Sequence, residues 1–136
     1  MPEKVSANNF QLVDANGKKR AELSLLKDGN PALAFYDKEG KCLADLSVDD
    51  GSGQAGLSLY GKNGKPGTLL MASHLNLFNE DGSGQIRLAV MDGQRPAALD
   101  FWDKNGKRRM TLDMEPDGSY RLMLNDSDER VVWKTP

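Results

Sequence analysis

Three stretches of the chain carry residue types and spacings that can do chemistry. The first is Asn79-Glu80-Asp81-Gly82-Ser83-Gly84-Gln85-Ile86, which follows the opening of an EF-hand calcium loop. Oxygen donors stand at Asn79, Asp81 and Ser83, and Gly84 occupies the sharp turn. The bidentate Glu that should close the loop is replaced by Val90, and both flanks read as strands rather than helices. Turn chemistry already accounts for Asp81-Gly82, so no bound metal is expected. Residues 49–53, Asp-Asp-Gly-Ser-Gly, carry too few spaced donors to add a second site.

The second is a column of Val13, Tyr36, Tyr60, Phe78, Trp102 and Asn125, which recurs every 18 to 24 residues. Tyr36, Tyr60, Phe78 and Trp102 are consecutive and aromatic, and each is followed within a few residues by Asp or Asn. Sugar rings stack on exposed aromatic rings bordered by such groups. The same rings also strengthen cross-strand pairs and subunit contacts. These residues are therefore the candidate glycan-binding or interface residues.

The third is Ser73-His74, which holds the only histidine. Nucleophile, base and orienting group must converge in a cleft for acid–base catalysis, and a two-residue turn offers none. His74 reads as a turn residue. Carboxylates are abundant, but they stand at turn openings where they cap backbone amides, and no pair is singled out for acid–base work. No Walker loop, no strand–GxGxxG–helix unit and no His/Asp metal cluster is present. Neither an enzyme nor a cofactor is expected.

What positions these residues is a repeat. The segment Leu99-Asp-Phe-Trp-Asp-Lys-Asn-Gly-Lys-Arg-Arg-Met-Thr-Leu-Asp-Met reads as two alternating strands around an Asn-Gly turn. Looser copies open their turns at Asp14, Asp37, Gly61, Asn79, Asp103 and Asp126. Apolar residues stand four and two positions before each opening: Phe10 and Leu12, Leu33 and Phe35, Leu57 and Leu59, Leu75 and Leu77, Leu99 and Phe101, Leu122 and Leu124. Alternation resumes seven positions after it, at Ala21, Ala44, Thr68, Ile86, Met110 and Trp133. Pairing the positions two before and seven after predicts two-residue loops at Asn16-Gly17, Glu39-Gly40, Asn63-Gly64, Asp81-Gly82, Asn105-Gly106 and Asp128-Glu129. Type I′ turns are the expectation for such loops. The last pair lacks Gly, which predicts a different turn or fraying there.

The expected fold is all-β: an antiparallel meander of six β-hairpin repeats of about 22 residues, about 12 strands, in one domain spanning residues 1–136. Residues 1–8 form a short lead, and repeats begin near residues 10, 33, 57, 75, 99 and 122. Connections at residues 27–31 and 115–119 carry Asp-Gly turns, 49–54 is rich in Gly and Ser, and 92–96 contains Gly93 and Pro96. The connection at Ser73-His74 is the tightest. Residues 18–27 place Ala21 and Leu25 at helical spacing, but Gly17, Gly29 and the alternation favour a strand. No helix longer than about two turns is expected. The column aromatics fall on the face opposite the apolar pairs.

Such an apolar face must be covered. Closure into a barrel or a β-trefoil-like body, folding at Ser73-His74 into two layers, and packing of several chains all satisfy this. The trefoil ranks behind a regular hairpin array, because the copies match at the level of single hairpins. Self-association, with a trimer as first guess, is the leading functional expectation for a structural or assembly module. A carbohydrate-binding module is the alternative.

Composition bounds the partners. The 136 residues carry a net charge of −2 with both signs interspersed, which argues against nucleic acid and anionic membrane surfaces. Lys18, Arg20, Lys41, Lys65, Lys107, Arg108 and Arg109 follow the turns and read as solvated edge charges. No apolar run is long enough for a membrane-spanning helix, and the N-terminus lacks a secretory h-region, so the cytoplasm is the default expectation. Cys42 is alone, which leaves no intrachain disulfide, and reads as a small core hydrophobe.

The unit Leu33-Ala-Phe-Tyr-Asp-Lys-Glu-Gly-Lys-Cys-Leu-Ala-Asp-Leu resembles the LxLYDxxGKxRAxL hairpin repeats of uncharacterised bacterial proteins, over nearly the whole chain from Phe10 to Trp133. That resemblance implies a hairpin-repeat fold and brings no activity with it. Gly56-Leu-Ser-Leu-Tyr-Gly-Lys-Asn-Gly is more loosely similar to shaft repeats of trimeric viral fibres, although the unit here is longer.

Overall fold

The computed structural model describes residues 4, 6–49, 51, 53–90 and 96–135. The connections at 49–54 and 92–96 and the start of the lead lie partly outside these residues. Among the described residues there is no helix, and the strands form one antiparallel sheet in chain order. They are β1 (Asn9–Val13), β2 (Lys19–Leu25), β3 (Pro31–Tyr36), β4 (Cys42–Asp49), β5 (Gln54–Tyr60) and β6 (Pro66–Met71). The second half continues with β7 (His74–Phe78), β8 (Gln85–Val90), β9 (Ala97–Trp102), β10 (Arg108–Met114), β11 (Tyr120–Asn125) and β12 (Val131–Lys134).

The apolar pattern sets the register. Within the hairpins Leu12 lies opposite Ala21, Phe35 opposite Ala44, Leu59 opposite Thr68, Leu77 opposite Ile86, Phe101 opposite Met110 and Leu124 opposite Trp133. Because side chains alternate along a strand, this one pairing places the paired apolar residues that flank each turn on one face.

The turns differ from the expected type I′ loops. In five hairpins the turn-opening residue donates its N–H to the carbonyl four positions on and accepts from the N–H three positions on, as in Asp14 N to Lys18 O and Gly17 N to Asp14 O, both 2.9 Å. That is a three-residue loop in which only the last residue needs a left-handed backbone, such as Gly17 at φ 76°. An odd-length loop would put the wrong residues opposite each other. Parity is restored by a bulge that skips Arg20, Leu43, Gly67, Arg109 or Val132. The fourth hairpin absorbs its extra residue in the loop instead: Asn79 N reaches Gly84 O, and Phe78 pairs with Gln85 with no bulge.

The last hairpin also departs from expectation. It keeps the common turn, with Glu129 in the glycine position at φ 64°, the one non-glycine residue with positive φ among those described. Glu129 N donates to Asp126 O at 3.1 Å and Asp126 N to Arg130 O at 2.9 Å, so the hairpin does not fray. At the opposite rim, residues 26–30 and 115–119 close by the same three-residue pattern. The tight central connection is Ala72-Ser73, with Leu70 opposite Leu75, and His74 belongs to β7.

The chain does not close on itself. Among the described residues each strand contacts only its neighbours in the chain, and β1 and β12 are free edges. The barrel, the trefoil and the fold into two layers at residue 73 are therefore all excluded for the single chain. The β6–β7 pairing continues up to that junction, from Thr68 opposite Leu77 to Leu70 opposite Leu75, within the same sheet.

Candidate functional site

The two faces of the sheet are the sites to compare. On the apolar face Leu25, Phe35, Leu46, Leu59, Leu70 and Leu88 are exposed, Leu88 by 53%. A groove of about 360 Å³ runs among Leu88, Leu99, Leu112, Met114 and Tyr120.

Many side chains of the polar face find partners within the chain. Register sets Arg87 opposite Asp100, Asp100 opposite Thr111, and Asp113 opposite Arg121. Thr111 is fully buried and its Oγ1 donates to Asp100 Oδ1 at 2.8 Å. Arg121 grips the buried Asp113 carboxylate with Nε at 3.1 Å and Nη2 at 2.8 Å, while its Nη1 reaches Glu115 at 2.9 Å. Ala89 and Ala98 are buried beside these side chains, and Ala32 is buried on the same face between Ser24 and Ser47. At the other end of the face Glu22 gathers donors from Lys19, Gln11 and Asn9. These bonds, led by that to the Lys19 ammonium, hold its carboxyl down from 4.5 to about 2.

The aromatic column lies on this polar face, half-buried, and its members are not adjacent. Tyr36 pairs with Cys42, Tyr60 with Pro66, Phe78 with Gln85 and Trp102 with both Gln85 and Arg108. Aromatic rings thus stand two strands apart, about 9.5 Å at the usual strand spacing. The Lys19 ammonium sits 4.5 Å from the centre of the Tyr36 ring, and the Tyr36 hydroxyl is 3.4 Å from Glu22. The Tyr60 hydroxyl donates to Asp45 at 2.6 Å, and that bond followed by burial raises its pKa. Phe78 and Trp102 differ from the tyrosines: with Gln85, Asn79 and Phe101 they line one recess of about 310 Å³. Val13 ends the exposed β1, and the buried Asn125 donates to Arg108 O at 3.0 Å.

The calcium-like loop is occupied by its own backbone. Asn79 Oδ1 accepts from Ser83 N at 2.8 Å and Gly84 N at 3.1 Å, and Asp81 Oδ1 accepts from Ser83 N at 2.8 Å. Bonds to the Ser83 hydroxyl and amide lower the Asp81 pKa. The donor spacing that resembled a metal loop arises because this hairpin carries its extra residue in the turn. Among the described residues no cluster of three His, Cys, Asp or Glu side chains could hold a metal ion. Elsewhere the turn acids do the same work: Asp103 Oδ1 takes the amides of Asn105 at 2.8 Å and Lys107 at 3.1 Å, and the Lys107 amide leads in lowering its pKa.

Ser73 Oγ lies 3.3 Å from His74 Nδ1 where the Ala72-Ser73 turn enters β7. Burial, followed by the Asp45 charge, raises the pKa of the Cys42 thiol, the opposite of what a nucleophile needs.

Alternation located the apolar face and the column, but the buried polar network escaped it. Its signal was available once register was known, since the pairing rule sets Asp113 against Arg121 and Asp100 against Thr111. No protein-family model matches the sequence, and no curated protein matches it either.

Proposed function

We propose that this protein is a non-catalytic assembly module whose apolar sheet face is covered by further copies of the same chain. One observation carries the reading. The chain exposes 9617 Å² at 14.9 kDa, where a folded monomer of that mass exposes about 7,000 Å². The excess, roughly 2,600 Å² per chain or about 5,200 Å² for a pair, lies at the upper end of the areas that obligate homo-oligomers bury. The excess includes large apolar side chains left exposed along one sheet face. A second copy fits because apolar sheet faces pack on one another about 10 Å apart with interdigitating side chains, and the groove beside Leu112 and Met114 offers a seat for a bulky partner side chain. Two sheets face to face and three sheets around an axis both cover the surface. The trimer remains the first proposal for stoichiometry, in keeping with the loose similarity to fibre shafts.

Absolute mass by light scattering after size exclusion, over a dilution series, tests the reading. A mass well above 14.9 kDa that survives dilution to micromolar concentration is expected. A monomer at those concentrations overturns it.

The recess between Phe78 and Trp102 supports a second reading, stacking of a sugar ring. A glycan screen read by Trp102 fluorescence in a Trp133→Phe background tests it, and an unshifted spectrum across the screen removes it.

A further inference from the structure

The five junctions between successive hairpins all use one register. Ala21 faces Phe35, Ala44 faces Leu59, Thr68 faces Leu77, Ile86 faces Phe101 and Met110 faces Leu124. Two residues further on, the same junctions pair Leu23 with Leu33, Leu46 with Leu57, Leu70 with Leu75, Leu88 with Leu99, and Leu112 with Leu122. Trp133 and Thr135 occupy the first positions of such a junction, and Leu12 and Phe10 the second, yet they lie at opposite edges of the sheet.

We propose that copies of this chain join edge to edge, β12 of one pairing antiparallel with β1 of the next in the register of the internal junctions. Trp133 then faces Leu12, Lys134 faces Gln11, and Thr135 faces Phe10 of the second copy. This goes beyond the face-to-face reading and does not rest on it.

Backbone direction agrees. Asp14 N bonds Lys18 O, and Thr135 N bonds Leu122 O at 3.0 Å, so the turn-opening residue and the residue four before it point into their own hairpin. Alternation then turns the N–H and C=O of Gln11 on β1, and of Lys134 on β12, outward from the sheet. Natural edges are blunted by charges, proline or bulges. β1, Asn-Phe-Gln-Leu-Val, has no charge and no proline, and its bulge lies on β2. Both edge strands are exposed along their length. An even number of strands leaves β12 antiparallel to β1, so the second copy continues the meander in the same sense and presents the same apolar face. Such a joint is heterologous and propagates into rings or filaments.

Register-specific cross-linking tests this. In a Cys42→Ala background, Leu12→Cys and Trp133→Cys proteins are mixed and oxidised. Their positions form a non-hydrogen-bonded pair, whose Cα separation of about 4.5 Å lies in the disulfide range. Phe10→Cys with Thr135→Cys is a second matched pair, which keeps the test valid if losing Trp133 disturbs β12. Gln11→Cys with Trp133→Cys is slipped by one residue and points the thiols to opposite faces. Matched pairs are expected to give about tenfold more mixed disulfide than the slipped pair. Gln11→Pro, which removes an outward N–H, should lower the matched yield while β1 stays paired. Equal yields, or none from either matched pair, overturn the proposal.

Repeating the matched reaction with Leu70→Asp and Leu88→Asp present separates it from face packing. Persistent cross-linking supports the edge joint whatever becomes of the face, and its loss there shows that proximity came from face packing and overturns the joint.

Discussion

On β10, Thr111 and Asp113 are buried, while Leu112 and Met114, which alternate with them, are exposed. The usual rule for a half-covered sheet is the reverse. The difference between the faces is one of partners. Polar side chains on one face find them across the strands: Asp100 takes the Thr111 hydroxyl, and the long Arg121 lies over Asp113. Leucine has no directional bond to make and can be covered only by another layer, which a single chain whose described strands contact only their chain neighbours does not supply. A sheet that pairs much of its polar face and leaves its apolar face bare lacks a layer, which is the layer the proposed further copies would supply.

The largest effect expected from breaking this contrast is on the apolar side. Leu70→Asp with Leu88→Asp places two carboxylates where the proposed interface is dry. An unpaired buried charge costs about 3 kcal/mol or more, so association should weaken at least ~100-fold. Light scattering should find the mass fall clearly below that of the parent protein, to whatever the edge joint alone holds together. An unchanged mass would mean that the face is not the interface.

The polar face should answer differently. Arg121→Ala strips the bidentate partner from the buried Asp113. Loss of charge-assisted hydrogen bonds of this kind costs about 2–3 kcal/mol of folding stability, discounted toward the lower figure because the arginine is partly exposed. Chemical denaturation should show the loss while the assembly mass at low denaturant is kept. A mass change without a stability change would reverse the roles assigned to the two faces.

Much of this contrast was legible in the sequence, and its limits have physical causes. Phe10, Leu12 and their counterparts announced hairpins, strand order and which residues share a face, because period-2 alternation is set by the backbone. Turn type was not legible. A two-residue loop, and a three-residue loop with a bulge at Arg20 or Leu43, place the same residues opposite each other, and only the φ values tell them apart. Glu129 could not be foreseen in a left-handed position, since its neighbours over-determine a backbone that its own side chain disfavours. Closure was illegible because it depends on whether distant strands meet. The polar network required exact cross-strand opposition of Asp113 and Arg121, which follows only once the bulges are placed.

Glu129 gives a smaller effect, at the rim between the faces. Its left-handed backbone costs about 1 kcal/mol relative to glycine. The side chain recovers part of this through Lys107 Nζ at 3.2 Å and the Arg108 amide at 3.2 Å, on an exposed surface. Glu129→Gly should therefore stabilise the protein by a few tenths of a kcal/mol, read as a raised denaturation midpoint. A lowered midpoint would mean that the Glu129 contacts outweigh the strain.

The finest distinction between the faces is their response to acid. Glu22 on the polar face is held from an ordinary 4.5 down to about 2, first by Lys19 and then by Gln11 and Asn9. A carboxyl whose folded value is depressed contributes stability that is complete above its unfolded value. That contribution is lost as pH falls from about 4.5 toward 2, because the unfolded chain takes up the proton first. Glu22→Gln removes the titration, so the drop in denaturation midpoint between pH 6 and pH 3 should be smaller in the variant than in the parent. The paired positions of the apolar face, from Phe10 and Leu12 to Leu122 and Leu124, carry no carboxylate. Acid should thus weaken the fold from its polar side while the face contact itself stays indifferent. Equal slopes for parent and Glu22→Gln would place the acid sensitivity elsewhere, in the turn carboxylates such as Asp14 and Asp103, whose backbone amide donors also lower their pKa values.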